Sequence, residues 1–500
     1  MKHEGPVWLA NGTPSPQALL DQFDPEDLPE QFVLAERHAG PSGWLEDKVD
    51  GWVLHRHPTL PQVLLRDADR EQVGWLLGYP IDAGGRLLSD GAVLDAVPTH
   101  GARLESWLAD LGGRWLCVIA RGPEARVHLD PTGSLSAVYS PGDRLVASTP
   151  TLIPYGPGRG DNVDLIRATG IPWEDAGFPL ELTARHGVRR LLPNHHLHLA
   201  TFRARRHWPT GDWETDSDVG TAVVRIAELT KRNVRAVVQA MPTYLPLTAG
   251  RDSRMLLATA RDLVDELAFY TVAMPDRQAD LDTRVAARIS SSLGLDHQVV
   301  PYQQPQQRDL DEWMFRIGCG VGESRGWRVS TTYKTLDQHR ARLVASLGEI
   351  ARNEYWRATD VPTTPITAER LVRHTRADLT DETLDVAARW LAEVPTTNAL
   401  QTLQLFYIEH GMGGWAGVFP YADYPGPGFI LFPMNHAEII RRMVALPVEV
   451  QRTGGLQPAV VAREWPELLQ WGFNREYGVR RVRRAIDRRA RRLVVQRQAA

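Results

Sequence analysis

Between Gly220 and Val300 the chain switches repeatedly between two hydrophobic periods, and nothing else in its 500 residues constrains the fold as tightly. Helical spacing over 223–238 gives way to a strand at 244–247, then a helix at 255–264, a strand at 267–272, a helix at 280–293 and a strand at 297–300. Strands separated by helices return parallel to one another, and a parallel sheet takes its ligands outside the C-terminal ends of its strands. The first such end is Thr248-Ala249-Gly250-Arg251-Asp252-Ser253-Arg254, a tight polar turn before a helix. Unpaired N–H groups at a helix start carry the positive end of its dipole, and Ala249 and Gly250 leave room for an anion to approach the main chain. Thr248 and Ser253 add hydroxyl donors and Arg251 and Arg254 add charge, while Asp252 is suited to orient a metal or cap the helix. An ordinary capped helix has much the same residues, so the pattern alone leaves both readings open.

The length predicts roughly two to four domains. Apolar content of 43% and charged content of 24% are those of a globular protein without a membrane segment, and a net charge of −4 argues against a surface built for nucleic acid. Only Cys117 and Cys319 occur, far apart, which indicates neither a disulfide framework nor a zinc site and suits a reduced cytoplasm. Met1-Lys2-His3-Glu4-Gly5-Pro6 has no apolar signal core, so secretion is not expected.

Short apolar runs at 52–54 and 62–65 lie among Gly and Pro turns and predict β structure at a loose periphery. Runs at 73–81, 113–120, 126–130 and 145–148, with a helix near 104–111, predict packed sheets. Residues 151–215 form a connection. Within it, His195, His196 and His198 have the spacing of a strand on which His196 and His198 share a face, but no carboxylate or cysteine at ligand spacing favours a metal over a structural role. From Arg475 to Arg497 arginines crowd the chain; Val479, Val482, Ile486 and Leu493 suit an amphipathic helix, and the charge equally suits a polyanion or partner patch.

Several of these stretches resemble one family. Thr248 to Ser253 resembles the pyrophosphate loop Ser-Gly-Gly-x-Asp-Ser of the N-type ATP pyrophosphatases, with Thr248 for the first Ser and Ala249 for the first Gly. Leu343-Val344-Ala345-Ser346-Leu347-Gly348-Glu349-Ile350-Ala351-Arg352-Asn353-Glu354 is similar to the strand and turn that carry Gly-Glu-Gly-Ala-Asp-Glu in asparagine synthetases. Gly348, Glu349 and Ala351 match; Arg352 faces the family's Asp, and Glu354 is offset by one. The Asp280 to His297 segment and the Phe406 to Glu449 region resemble later parts of the same family, which also supplies a Lys where residues 467–473 have none and Arg475 is the nearby charge. Gly113-Arg114-Trp115, Asp130-Pro131-Thr132-Gly133-Ser134 and Tyr139 look like the class II glutamine amidotransferase domain, whose nucleophile is a Cys directly after the initiator Met; Lys2 stands there.

The resemblance, from roughly Trp75 to Phe473, implies an α+β N-terminal sandwich followed by an α/β parallel-sheet synthetase domain with a helical C-terminal part. The implied divisions are 1–205, 206–474 and an arginine-rich 475–500. It implies an ATP-dependent ligase that adenylates a carboxylate, releases pyrophosphate and couples the acyl group to an amine without hydrolysing glutamine. The amine is free ammonia or one carried by the substrate, as in β-lactam synthetases and lasso-peptide cyclases. Glu349 as general base and Arg251 as pyrophosphate stabiliser are the implied catalytic residues. Leu247, Thr248, Ala249, Gly250, Asp252, Ser253, Arg254, Thr271 and Gly348 surround the nucleotide, and Asp252 and Glu354 hold Mg2+, so ATP and Mg2+ are the expected cofactors. The expected substrate is a small molecule or peptide with a carboxylate, and a partner protein or homodimer is left open. A structural role for Glu349, as a cap or paired with Arg251 or Arg254, stays open too. Two other functions compete: an inactive scaffold or nucleotide-binding module, and tRNA thiolation, which lacks paired cysteines and a basic body.

Overall fold

The three strands that the alternation predicts belong to a sheet of five, all hydrogen-bonded in parallel: His297–Pro301, Leu267–Ala273, Thr243–Pro246, Ala341–Leu343 and Ile430–Leu431, in that spatial order. The chain enters at the central strand, builds outward through the second and third, then returns to the other side of the first. The order therefore reverses between Thr243–Pro246 and Ala341–Leu343, and a ligand crevice is expected outside the C-terminal ends of those strands. Burial explains why these residues are strands. Leu245, Phe269 and Leu343 are fully enclosed in a core completed by the flanking helices Val219–Ala240, Arg251–Thr259 and Arg277–Leu293. In the last of these Val285 and Ile289 are buried and Leu293 packs on the same core, as the spacing predicts.

The computed structural model describes residues 15–474 other than 38–39, 175, 216, 323 and 424–427. The arginine-rich segment from 475, with Arg475 and its apolar stripe, and Lys2 fall outside the described residues. The protein is α/β, with mixed sheets besides the parallel one and a largely helical C-terminal region. No helix among the described residues is long and apolar enough to cross a membrane.

Residues up to Arg206 supply two further sheets, of six and seven strands. Phe32, Leu34, Leu54 and Val146 from one share a hydrophobic cluster with Trp75, Leu77, Leu116 and Val118 from the other. Two expectations need correction here. Residues before about 70 are not a loose periphery, because Phe32–Ala35 is an interior strand of the six-stranded sheet and all four of its residues are buried. Nor is 151–215 only a connection: His195–His198 is an interior strand of the seven-stranded sheet, paired with Arg126–Leu129 and Arg203–Arg206. His196 lies on it with its ring 5.3 Å from that of His128, and among the described residues no cluster of three or more His, Cys, Asp or Glu is arranged to hold a metal.

Polar contacts lock these sheets to the region built on the parallel sheet. The fully buried Arg114 donates to the Glu30 carboxylate and to the Ile430 carbonyl at 3.1 Å, and Tyr79 donates to Glu30 at 2.5 Å while stacking on Phe429. Asp130, also fully buried, accepts from Ser134 Oγ at 2.8 Å, from Ser134 N–H at 3.0 Å and from Asn435 Nδ2 at 2.7 Å. Asn435 bonds both ways with Gly113. At Gly417 the two parts approach so closely that a Cβ would lie 2.6 Å from the Gly133 carbonyl oxygen. One hydrophobic cluster runs from Leu19 to Ala422, and Ala176–Gly177 pairs antiparallel with Val321–Gly322, so the two parts share a core and a small two-stranded sheet.

Candidate functional site

Thr248, Ala249 and Gly250 make the turn after the central strand, and the helix begins at Arg251, four residues before the apolar periodicity starts. Its first turn, Arg251 to Arg254, is polar, so apolar spacing carries no signal there. Gly250 is the N-cap. Thr248 Oγ1 accepts from the Gly250 N–H at 3.0 Å and pairs with Ser253 Oγ at 2.7 Å, which gathers both hydroxyls at the helix start. Asp282 accepts from the Ala249 N–H at 3.0 Å and pins the turn from the neighbouring helix. Thr271 Oγ1 donates to the Leu247 carbonyl at 2.5 Å, joining two of the expected nucleotide residues across adjacent strands.

Both arginines of the turn donate to main-chain carbonyls. Arg251 donates at 3.0 Å to the carbonyls of Thr453 and Gly454, clamping a later turn. Arg254 is buried and wraps its own turn, donating to Gly250 at 3.1 Å and Ala249 at 2.7 Å, and also to Trp471, with Phe473 under its guanidinium. Neither pairs with Glu349 in the way the structural alternative required.

Across the crevice, Leu347 takes a left-handed backbone conformation (φ 82°, ψ −15°) while fully buried, a conformation that disfavours side chains with a Cβ. It turns the chain sharply into the short 3-10 helix Gly348–Ala351. A Cβ at Gly348 would lie 2.0 Å from Asp252 Oδ1, so any side chain there displaces that carboxylate. The two turns thus touch, and Gln457 ties them by donating to Asp252 Oδ1 at 3.1 Å and to the Gly348 carbonyl at 2.9 Å.

Glu349 stands beside Asp252 on this junction. Its side chain is a quarter exposed, yet Oε2 is enclosed and accepts no hydrogen bond. Burial first, and then the charge of Asp252, push its carboxyl up to about 7 against the pull of Arg352. Raised in the folded state, this group favours folding below its ordinary range, and that contribution is lost as pH climbs through about 7. Arg352 lies among three carboxylates: Nη1 is 3.0 Å from Asp252 Oδ2, Nη2 is 3.6 Å from Glu349 Oε1 and Nε is 3.7 Å from Glu354 Oε1. Glu354 is half exposed, so the expected metal pair Asp252 and Glu354 is bridged by a guanidinium.

Beside the Thr248 turn a cavity of about 310 Å³ opens at the C-terminal ends of the strands, lined in part by Thr248, Thr271, Asp282, Ser346 and Trp415. Two residues of its lining are the buried Arg342 and Asp423, 3.5 Å apart, with Arg342 over the Tyr333 ring. Sequence reasoning reached most of the two turns and missed Gln457, Asp282 and the Arg342–Asp423 pair. Asp282 had a signal, being a carboxylate in the first turns of an amphipathic helix next to the loop; Gln457 had none. The chain matches no model of a known protein family, and no curated protein matches it.

Proposed function

We propose that the protein is an ATP-dependent, AMP-forming amide ligase of the asparagine synthetase-like kind. It adenylates a substrate carboxylate with release of pyrophosphate and lets an amine attack the acyl-adenylate. The observation that carries this reading is Glu349: a carboxylate with a free, enclosed Oε2 and an affinity for protons matched to neutral pH, set against a turn suited to phosphate. An amine becomes an amide only by losing a proton, and Glu349 is the group able to take it. Thr248, Gly250 and Ser253 at the helix start would receive the pyrophosphate, and the adjoining cavity would receive the carboxylate substrate. ATP and Mg2+ are the cofactors implied, the magnesium arriving with the nucleotide.

In the same reading the strand-rich first part is an amidotransferase-like sandwich that supplies no glutaminase nucleophile. Both cysteines are buried, and burial raises both thiols, so neither is available to attack glutamine. The amine is then ammonia or an amine on the substrate.

The test is exchange of labelled pyrophosphate into ATP, driven by candidate carboxylates. Exchange is expected with some carboxylate and is expected to vanish in Asp252→Ala, because Asp252 holds the two turns together through Gln457 and Arg352. Exchange that survives this substitution, or none with any class of carboxylate, rejects the proposal. A second expectation concerns pH. If Glu349 is the base, amide formation falls about tenfold per unit as pH drops below 7 and levels off above it, while exchange shows no inflection there. Matching profiles for the two half-reactions would remove Glu349 from the role.

One observation favours a second reading, a nucleotide-binding scaffold without catalysis: Arg251 and Arg254 are both engaged with backbone carbonyls. Calorimetry with Mg-ATP separates the two, since binding that depends on Ser253 without any carboxylate-driven exchange belongs to the scaffold.

A further inference from the structure

We propose that Arg352 is the resident cation of this site and that the chain itself holds no divalent metal there. This rests on the ligase reading for its meaning but not for its evidence. Asp252, Glu349 and Glu354 converge on one guanidinium with its three nitrogens shared among them, at 3.0, 3.6 and 3.7 Å. Both oxygens of Asp252 already accept protein N–H groups, Oδ2 from Arg352 and Oδ1 from Gln457. Magnesium needs near-octahedral oxygen donors at about 2.0–2.1 Å, and a guanidinium inside the cluster both takes those oxygens and repels a second cation. The donor set therefore does not suit the metal that the resemblance assigns to Asp252 and Glu354.

The physical reason lies in one position. The stretch after Gly348 turns as a 3-10 helix, which brings residue 352 back beside residue 349 and over Asp252. A carboxylate at 352 would make four acids in one small volume and demand a metal. Arginine supplies positive charge from within the chain, and its planar fork spreads that charge over several oxygens. It also sits where it acts on Glu349: it opposes the upward push of Asp252 on that carboxyl. Arg251, turned to the 453–454 carbonyls, leaves this position to Arg352.

The experiment is a Mn2+ titration of the full chain without nucleotide, followed by the electron paramagnetic resonance signal of free Mn2+. The parent is expected to take up no stoichiometric Mn2+, with or without Asp252→Asn. Arg352→Asp is expected to gain one site per chain, tighter by on the order of a hundredfold or more than any binding in the parent, because a like charge is removed and an oxygen ligand added. That site should disappear when Asp252→Asn is added, and Mn2+ should raise the melting temperature of Arg352→Asp but not of the parent. One Mn2+ in the parent that Asp252→Asn abolishes overturns the proposal. So does an Arg352→Asp protein that melts cooperatively and gains no site. If that variant does not fold, Arg352→Gln carries the test by the same criterion: a gain in Mn2+ affinity supports the proposal and no gain overturns it. These are equilibrium measurements without substrate, so a failure of carboxylate-driven exchange leaves them standing, and their failure leaves the exchange result standing.

Discussion

Glu349→Gln is expected to slow amide formation by on the order of a hundredfold or more while leaving carboxylate-dependent pyrophosphate exchange close to that of the parent. The amide keeps the shape and polarity of the side chain and loses only its basicity. Since Oε2 accepts no hydrogen bond in the folded protein, replacing it leaves no broken bond there to disturb the turn. The competing forecast starts from Arg352, 3.6 Å from Oε1. If Glu349 serves only to neutralise that guanidinium, Gln unbalances the cluster around Asp252, and both half-reactions fall together. Exchange and amide formation measured on one preparation decide between them, and equal losses would eliminate the general-base role.

The second large effect is on stability. Arg114→Ala leaves Glu30 buried without its cation, and removal of one partner from an enclosed ion pair costs about 3–5 kcal/mol. The Ile430 carbonyl loses its donor as well. Arg114→Met with Glu30→Gln should recover much of that loss, because no unpaired charge then remains and the amide can still accept from Tyr79. Urea or thermal melting of the three proteins measures this. A single variant within about 1 kcal/mol of the parent would mean that water reaches Glu30 and that the pair is no lock between the two parts.

The first strands of the parallel sheet were legible in the sequence because they are short, mostly apolar and separated by helices of clear period, and in Thr243–Pro246 and Leu267–Ala273 pattern and burial largely agree. The loop helix was legible only from Met255, since its first turn is polar and periodicity is blind to it. Phe32–Ala35 looked peripheral for the opposite reason: a four-residue apolar run beside Gly and Pro carries no mark of whether one face or both will be covered. Within the candidate site, Thr248, Gly250 and Gly348 were readable from the resemblance and from the need for close backbone approach. Arg352 was visible only as a mismatch. Its meaning depends on Asp252, one hundred positions earlier, and on Gln457, one hundred and five positions later, and nothing local links them. The carbonyl partners of the two turn arginines were not readable either, because a positive charge beside a polar turn says nothing of which main-chain oxygens the fold will bring to it.

The contact at Gly417 bears on how such a chain can change over time. With the Gly133 carbonyl 2.6 Å from where a Cβ would stand, and with Asn435 bonded to both Asp130 and Gly113, each part dictates which residues the other is allowed. Drift in the strand-rich part is then judged by the part built on the parallel sheet, whatever chemistry either performs. The two are inherited as one unit of selection.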